Sequence, residues 1–125
     1  MFPLPPWMRT ALYATAAMNV VAAGMFLPAA KPVRDWVGLP EFGHPLYATT
    51  VAMFIFLFGL AYLSTAIAGR SDRVFLALAA GGKFSFFVIL VSFWALGSLP
   101  LRAPVLGSAD LFFSVLFVVC LLGES

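Results

Sequence analysis

Charge is scarce in this chain of 125 residues, where seven basic and five acidic side chains make up 10% of the sequence. Soluble domains carry about 25% charged residues and about 45–50% apolar ones. Here 63% of the residues are hydrophobic and the mean hydropathy is +1.06. A small soluble fold has too much surface for its volume to hide that excess, so lipid has to cover much of it. The length allows one domain, residues 1–125.

Cysteine and histidine are scarcer still, with one of each. A single thiol closes no internal disulfide and builds no cysteine metal cluster, so it reports nothing about redox compartment. Cys120 lies in the apolar run LFVVCLL and reads as a small hydrophobe. His44, in FGHPLY, cannot supply a bis-histidine haem site, and no HxxxH or ExxH spacing offers a metal site. With Pro45 opening a helix behind it, His44 reads as a cap. GxSxG and Walker-type motifs are missing as well. The sequence therefore names no catalytic residue, no metal ligand and no cofactor. The net charge of +2 is scattered through loops, without the basic stripe that nucleic acid requires or the polybasic block that attracts anionic lipid.

What the chain does have is four apolar segments, at residues 10–27, 47–68, 74–97 and 105–122. Each is close to the ~20 residues that cross ~30 Å of hydrocarbon. Only helices fit, because lipid offers nothing to an unpaired N–H or C=O, and runs such as MFIFLFGL lack the alternation of a β-barrel. The first segment is longer than a typical signal-peptide core and is read as an uncleaved helix. Ahead of it, Pro3, Pro5 and Pro6 predict an extended lead-in over residues 1–6, with Trp7 anchored at the membrane interface. The expected fold is an all-α, integral membrane bundle of four transmembrane helices.

The first loop, PAAKPVRDWVGLPEFGHPL, adds a short helix opened by Pro32 and ended by Gly38 and Pro40. Val33, Trp36 and Val37 are expected on one side, and Arg34 and Asp35 on the other. It is read either as an amphipathic anchor in the headgroup region, held by Trp36, or as a lid over the mouth of the bundle. Four spans put both termini on one side with Arg9, Arg70 and Arg73, against Lys31, Arg34 and Arg102 on the other. The N-terminal amine tips this tie toward cytoplasmic termini.

Only two charged residues fall inside the spans, Lys83 in AAGGKFSFF and Asp110 in GSADLFFSVLF. Lys83 lies roughly 15 Å from one helix end and Asp110 about 9 Å inside the next helix, which starts from the opposite side. Their axial separation is ~6 Å, within reach of an extended lysine. Each charge alone costs about 2.5–3.5 kcal/mol at a helix centre, so both should face the bundle interior. Pairing is the cheapest way to keep them ionised; the alternative is neutralisation of one or both.

Asn19 stands at about the level of Lys83, with Thr15 one turn before it and Ala16, Ala22 and Ala23 sharing its face. Ser85 and Ser114 add hydroxyls near the same plane, and Tyr13 and Tyr62 read as interfacial belt residues ahead of the alternative of pocket groups. Gly81 and Gly82 lie mid-membrane, where close packing or room for the lysine explains them better than phosphate binding. Two readings of Asn19, Lys83 and Asp110 stay open. They form a polar clasp that fixes which helices pack together, or they line a cavity for a small molecule or a proton.

The order of features resembles small bacterial four-helix membrane proteins of DoxX-like type. The matching features are Asn19, GLP at Gly38–Pro40, FGLAY at Phe58–Tyr62, GGK at Gly81–Lys83 and ADLFFSVLF at Ala109–Phe117. The resemblance implies a four-helix bundle in a bacterial inner membrane and little about activity. Relatives with a sterol-isomerase-type fold carry more intramembrane acidic residues than this chain.

Three functions are weighed. The leading one is a non-enzymatic structural or accessory subunit of a membrane complex. Its partners would be the lipid bilayer and other transmembrane subunits or copies of itself, because 14 Phe, 3 Trp and short loops leave little surface for soluble proteins. The second is a small-molecule or proton-coupled binding or transport protein using the Lys83–Asp110 pair. The third is a lipid- or sterol-type membrane enzyme with Asp110 as base and Lys83 as electrostatic stabiliser.

Overall fold

A computed structural model describes residues 1–41 and 43–123. Its helices are α1 (Pro6–Met25), α2 (Lys31–Val37), α3 (Pro45–Ala68), α4 (Arg73–Ala95) and α5 (Arg102–Gly123), with a 3₁₀ turn at Pro28–Ala30 before α2. The punctuation is chemical. Pro6 and Pro45 occupy first-turn positions, where the missing N–H would have no partner anyway. His44 caps α3 as expected, its Nδ1 accepting from the Leu46 N–H at 3.1 Å. Asp72 caps α4 through the Phe75 N–H at 2.8 Å. Gly38 ends α2 in the left-handed region at φ 88°, directly against Pro100, so the first and third loops meet there.

The helix starts differ modestly from expectation. α1 opens at Pro6 rather than Thr10, since proline at the first position is preorganised for a helix and does not delay it. The residues before it are extended, and Phe2–Pro3 pairs antiparallel with Arg70–Ser71.

Three helices, α3, α4 and α5, are long and apolar enough to cross a membrane. α1 reaches that standard only together with the segment Pro28–Val37, from which it bends by 87°. At most 28% of the most apolar stretch of α3, α4 or α5 is buried. Large apolar side chains such as Phe54, Leu78, Phe112 and Leu122 point outward instead, the reverse of a water-soluble bundle.

α1 packs along α3 and α4 along α5, with α1 also touching α5. One apolar cluster, including Met8, Leu12, Tyr62, Leu76 and Phe117, fills the end nearer the N-terminus. A second, of Val37, Leu90, Leu99 and Ala103 with Met25 and Leu39, closes the other end beneath α2. Along each helix, the polar residues Asn19, Lys83 and Asp110 fall between these two clusters.

Candidate functional site: a polar layer between two apolar clusters

Lys83 sits at the centre of α4, only 6% exposed. Its ammonium donates to Asp110 Oδ1 on α5 at 2.9 Å and to Asn19 Oδ1 on α1 at 3.3 Å. The same Nζ lies 5.2 Å from the centroid of the Tyr62 ring on α3 and 5.7 Å from that of Phe113. One charge therefore touches all the long helices. An ammonium held this way keeps a full set of attractive partners out of water: one carboxylate, one amide oxygen and two aromatic faces.

Asn19 works in both directions. While its oxygen accepts from Lys83, its Nδ2 donates to the Ile55 carbonyl of α3 at 3.1 Å. That reach depends on Gly59, whose missing side chain lets Asn19 lie directly against α3. A further tie joins α4 and α5, where the buried Ser114 hydroxyl donates to the Ala80 carbonyl at 3.0 Å.

The structure thus brings Asn19, Lys83 and Asp110 together and adds Tyr62, which sequence reasoning had placed in the interfacial belt. Tyr62 is 3% exposed and packs on Phe75 and Phe117 with ring centroids 6.1 and 5.9 Å away. Its depth along α3 was read correctly as nearer the terminal side. Its direction was not, because a segment apolar on every side does not reveal which face turns inward. Tyr13 is exposed, as a belt residue would be.

Other expected members take different places. Ser85 is exposed and points away from the layer. Thr15 is fully buried, and its hydroxyl is the one buried side-chain polar atom without a hydrogen-bond partner among the described residues. Gly81 and Gly82 have open space where a Cβ would stand, so packing within the chain does not explain them. Trp7 and Trp36 are both exposed, near the start of α1 and on α2.

α2 departs from its expected faces. Arg34, expected on the side opposite Val37, is 3% exposed and turned inward with it. Its guanidinium donates to the carbonyls of Met25 and Leu27 and to the Glu41 carboxylate, the closest ion-pair contact being 3.2 Å. The reason is the end of α1, where the last carbonyl, that of Met25, carries the negative end of the helix dipole, with the Leu27 carbonyl two residues beyond it. Val37 does turn inward, whereas Val33 and Trp36 stay exposed on one flank. On the other flank Lys31 bonds Asp35 at 2.8 Å, which holds the exposed Lys31 ammonium above the usual lysine range.

Two apolar grooves mark the outside of the bundle. One of about 500 Å³ runs between α4 and α5 past Ala77, Gly81, Ser114 and Val118, and one of about 390 Å³ runs between α1 and α3 past Val20, Gly24 and Met53. Neither is lined by Asn19, Lys83 or Asp110. Among the described residues no three His, Cys, Asp or Glu side chains converge as a metal site would require. Comparison with known proteins found no matching family model, and neither the curated proteins nor the solved structures gave a match.

Proposed function

We propose that the chain is an integral membrane protein with four transmembrane helices, α1, α3, α4 and α5, and that it serves as a non-enzymatic structural or accessory subunit. Its outward faces would meet lipid and other transmembrane helices, copies of itself included. The resemblance to DoxX-like proteins adds a bacterial inner membrane as its location, and the N-terminal amine tips the balance of loop charges toward cytoplasmic termini.

The surroundings of Lys83 carry this reading. A charge at mid-span is expensive in lipid, and here it is spent on contacts with every long helix while neither groove reaches it. Such an arrangement selects one helix packing over others, which is what a clasp does.

The test is a pair of substitutions, Lys83→Met and Asp110→Leu, made singly and together and followed by unfolding in detergent. Removing one partner strands the other charge, so each single variant should lose about 3–5 kcal/mol. The double variant should recover to within about 1 kcal/mol of the parent, because an apolar pair often replaces a buried ion pair without loss. A double variant no more stable than the worse single one would sink the clasp.

One observation favours the binding or transport reading as the second. The Asp110 side chain is 18% exposed while that of Lys83 is 6% exposed, so one side of the carboxylate is reachable. In that case the double variant would fold well yet fail to bind ligand or to restore a deletion phenotype. The lipid- or sterol-type enzyme reading needs Asp110 to open on a substrate-sized cavity, and neither groove provides that support.

A further inference from the structure

Three arginines reach the C-terminal carbonyls of a neighbouring helix. Arg9 of α1 donates to Ala66 and Ile67 of α3, Arg34 to Met25 and Leu27 at the end of α1, and Arg73 of α4 to Leu121 of α5. Arg102 opens α5 beside the end of α4, yet it caps nothing there. α4 closes by itself through the left-handed Gly97, with the Ser98 N–H on the Phe93 carbonyl at 2.9 Å. The exposed Arg102 guanidinium instead lies over the Trp36 ring, 5.5 Å from its centroid. Among the described residues no oxygen accepts a hydrogen bond from it.

The surface around this stack is apolar and otherwise charge-balanced. Val33, Trp36 and Leu101 are 47%, 61% and 56% exposed. Lys31 is neutralised by Asp35 and Arg34 by Glu41, which leaves Arg102, among the described residues, as the uncompensated charge of this end. The 87° bend sets α2 across the direction of α1, so a membrane crossed by α1 has α2 lying along its surface. Arg34 and Val37 occupy the face of α2 that meets the bundle, and its Val33–Trp36 flank is left for the lipid.

We propose that Arg102 and Trp36 together hold the headgroup phosphate of an anionic phospholipid. The guanidinium lies above the indole with no oxygen among the described residues accepting from it, so its N–H donors are free to pair two at a time with phosphate oxygens. Trp36 and Val33 meet the glycerol and upper acyl region below the phosphate. An uncompensated cation selects an anionic lipid over a zwitterionic one. This inference rests on the membrane-embedded reading given above.

The test uses the full chain in detergent doped with equal phosphatidylglycerol and phosphatidylcholine, with retained lipid identified by native mass spectrometry. The parent protein should retain phosphatidylglycerol preferentially. Arg102→Gln should lower that preference about fivefold, the worth of one cation near a lipid surface. Trp36→Leu should lower it as well, and Arg70→Gln, at the opposite end and bonded to the Met1 carbonyl, should leave it unchanged. Equal retention by the parent and Arg102→Gln, or an equal loss in Arg70→Gln, overturns the proposal. Thermal unfolding confirms that each variant is folded. Alkaline carbonate washing of membranes separates the two levels. Release of the parent chain overturns the membrane reading, whereas an embedded chain without Arg102-dependent retention overturns this inference alone.

Discussion

Asn19 and Gly59 face each other across α1 and α3 so closely that a Cβ on Gly59 would stand 3.1 Å from the Asn19 Cβ. Ordinary carbon contacts settle at about 3.5–4.0 Å. The Asn19 Cβ is fixed to the helix backbone and cannot swing aside, and the Ala16 carbonyl oxygen would stand 3.4 Å from the same added Cβ. This contact therefore sets the spacing at which Asn19 reaches the Ile55 carbonyl and Lys83 at once.

Gly59→Ala should push α1 and α3 apart and stretch the bond from Asn19 to Ile55. Overpacking costs about 1–3 kcal/mol, against a gain of about 1 kcal/mol from replacing a helical glycine. A net loss of about 1 kcal/mol is expected in detergent unfolding. Gly81→Ala is the control of opposite sign. Nothing stands within 4 Å of its Cβ position, so it should be neutral or stabilising by up to about 1 kcal/mol. Equal effects of the two variants would show that the Asn19 contact is not what Gly59 serves.

Tyr62 should matter for its ring more than for its hydroxyl. The ring lies against Phe75, Phe117 and the Lys83 ammonium, and it belongs to the cluster that fills the N-terminal end of the bundle. Tyr62→Phe keeps every one of these contacts and should change stability by less than about 1 kcal/mol. Tyr62→Ala opens a cavity beside a buried charge and should cost about 3–5 kcal/mol. The comparison is read from unfolding midpoints, and a large loss in Tyr62→Phe would assign the hydroxyl a role of its own.

Helix ends and axial heights were legible in the sequence, while facing directions were less so. Proline and glycine act locally, which is why the start of α3 at Pro45 and the stop of α2 at Gly38 are readable without tertiary knowledge. Axial height follows from a fixed rise per residue, enough to set Lys83 and Asp110 at reachable levels. Rotation about the helix axis is another matter. Segments apolar all round give no inward face, and Tyr62 looked like a belt residue on depth alone. Arg34 failed for a different reason. Pattern reasoning groups Arg34 with Asp35 on the polar side, but the bundle end presents the Met25 carbonyl and, beside it, that of Leu27, and both attract the guanidinium.

Arg34 yields the sharpest test of that last point. Arg34→Ala removes the donor from the Met25 and Leu27 carbonyls and frees Glu41, whose side chain is 39% exposed and can turn to water. The loss should be about 2–3 kcal/mol, the worth of charged hydrogen bonds from a buried guanidinium rather than of a stranded ion. Glu41→Gln should cost less than about 1 kcal/mol, since the Glu41 side of the pair is open to water and Arg34 keeps its two carbonyl acceptors. Arg34→Lys should fall between them, because a single ammonium cannot span two carbonyls and a carboxylate in the way a planar guanidinium does. Chymotrypsin cleavage near Trp36 and Leu39 gives a local readout of α2 coming loose. It should accelerate most in Arg34→Ala and least in Glu41→Gln. If Glu41→Gln proved as damaging as Arg34→Ala, the ion pair and not the end of α1 would be what Arg34 secures.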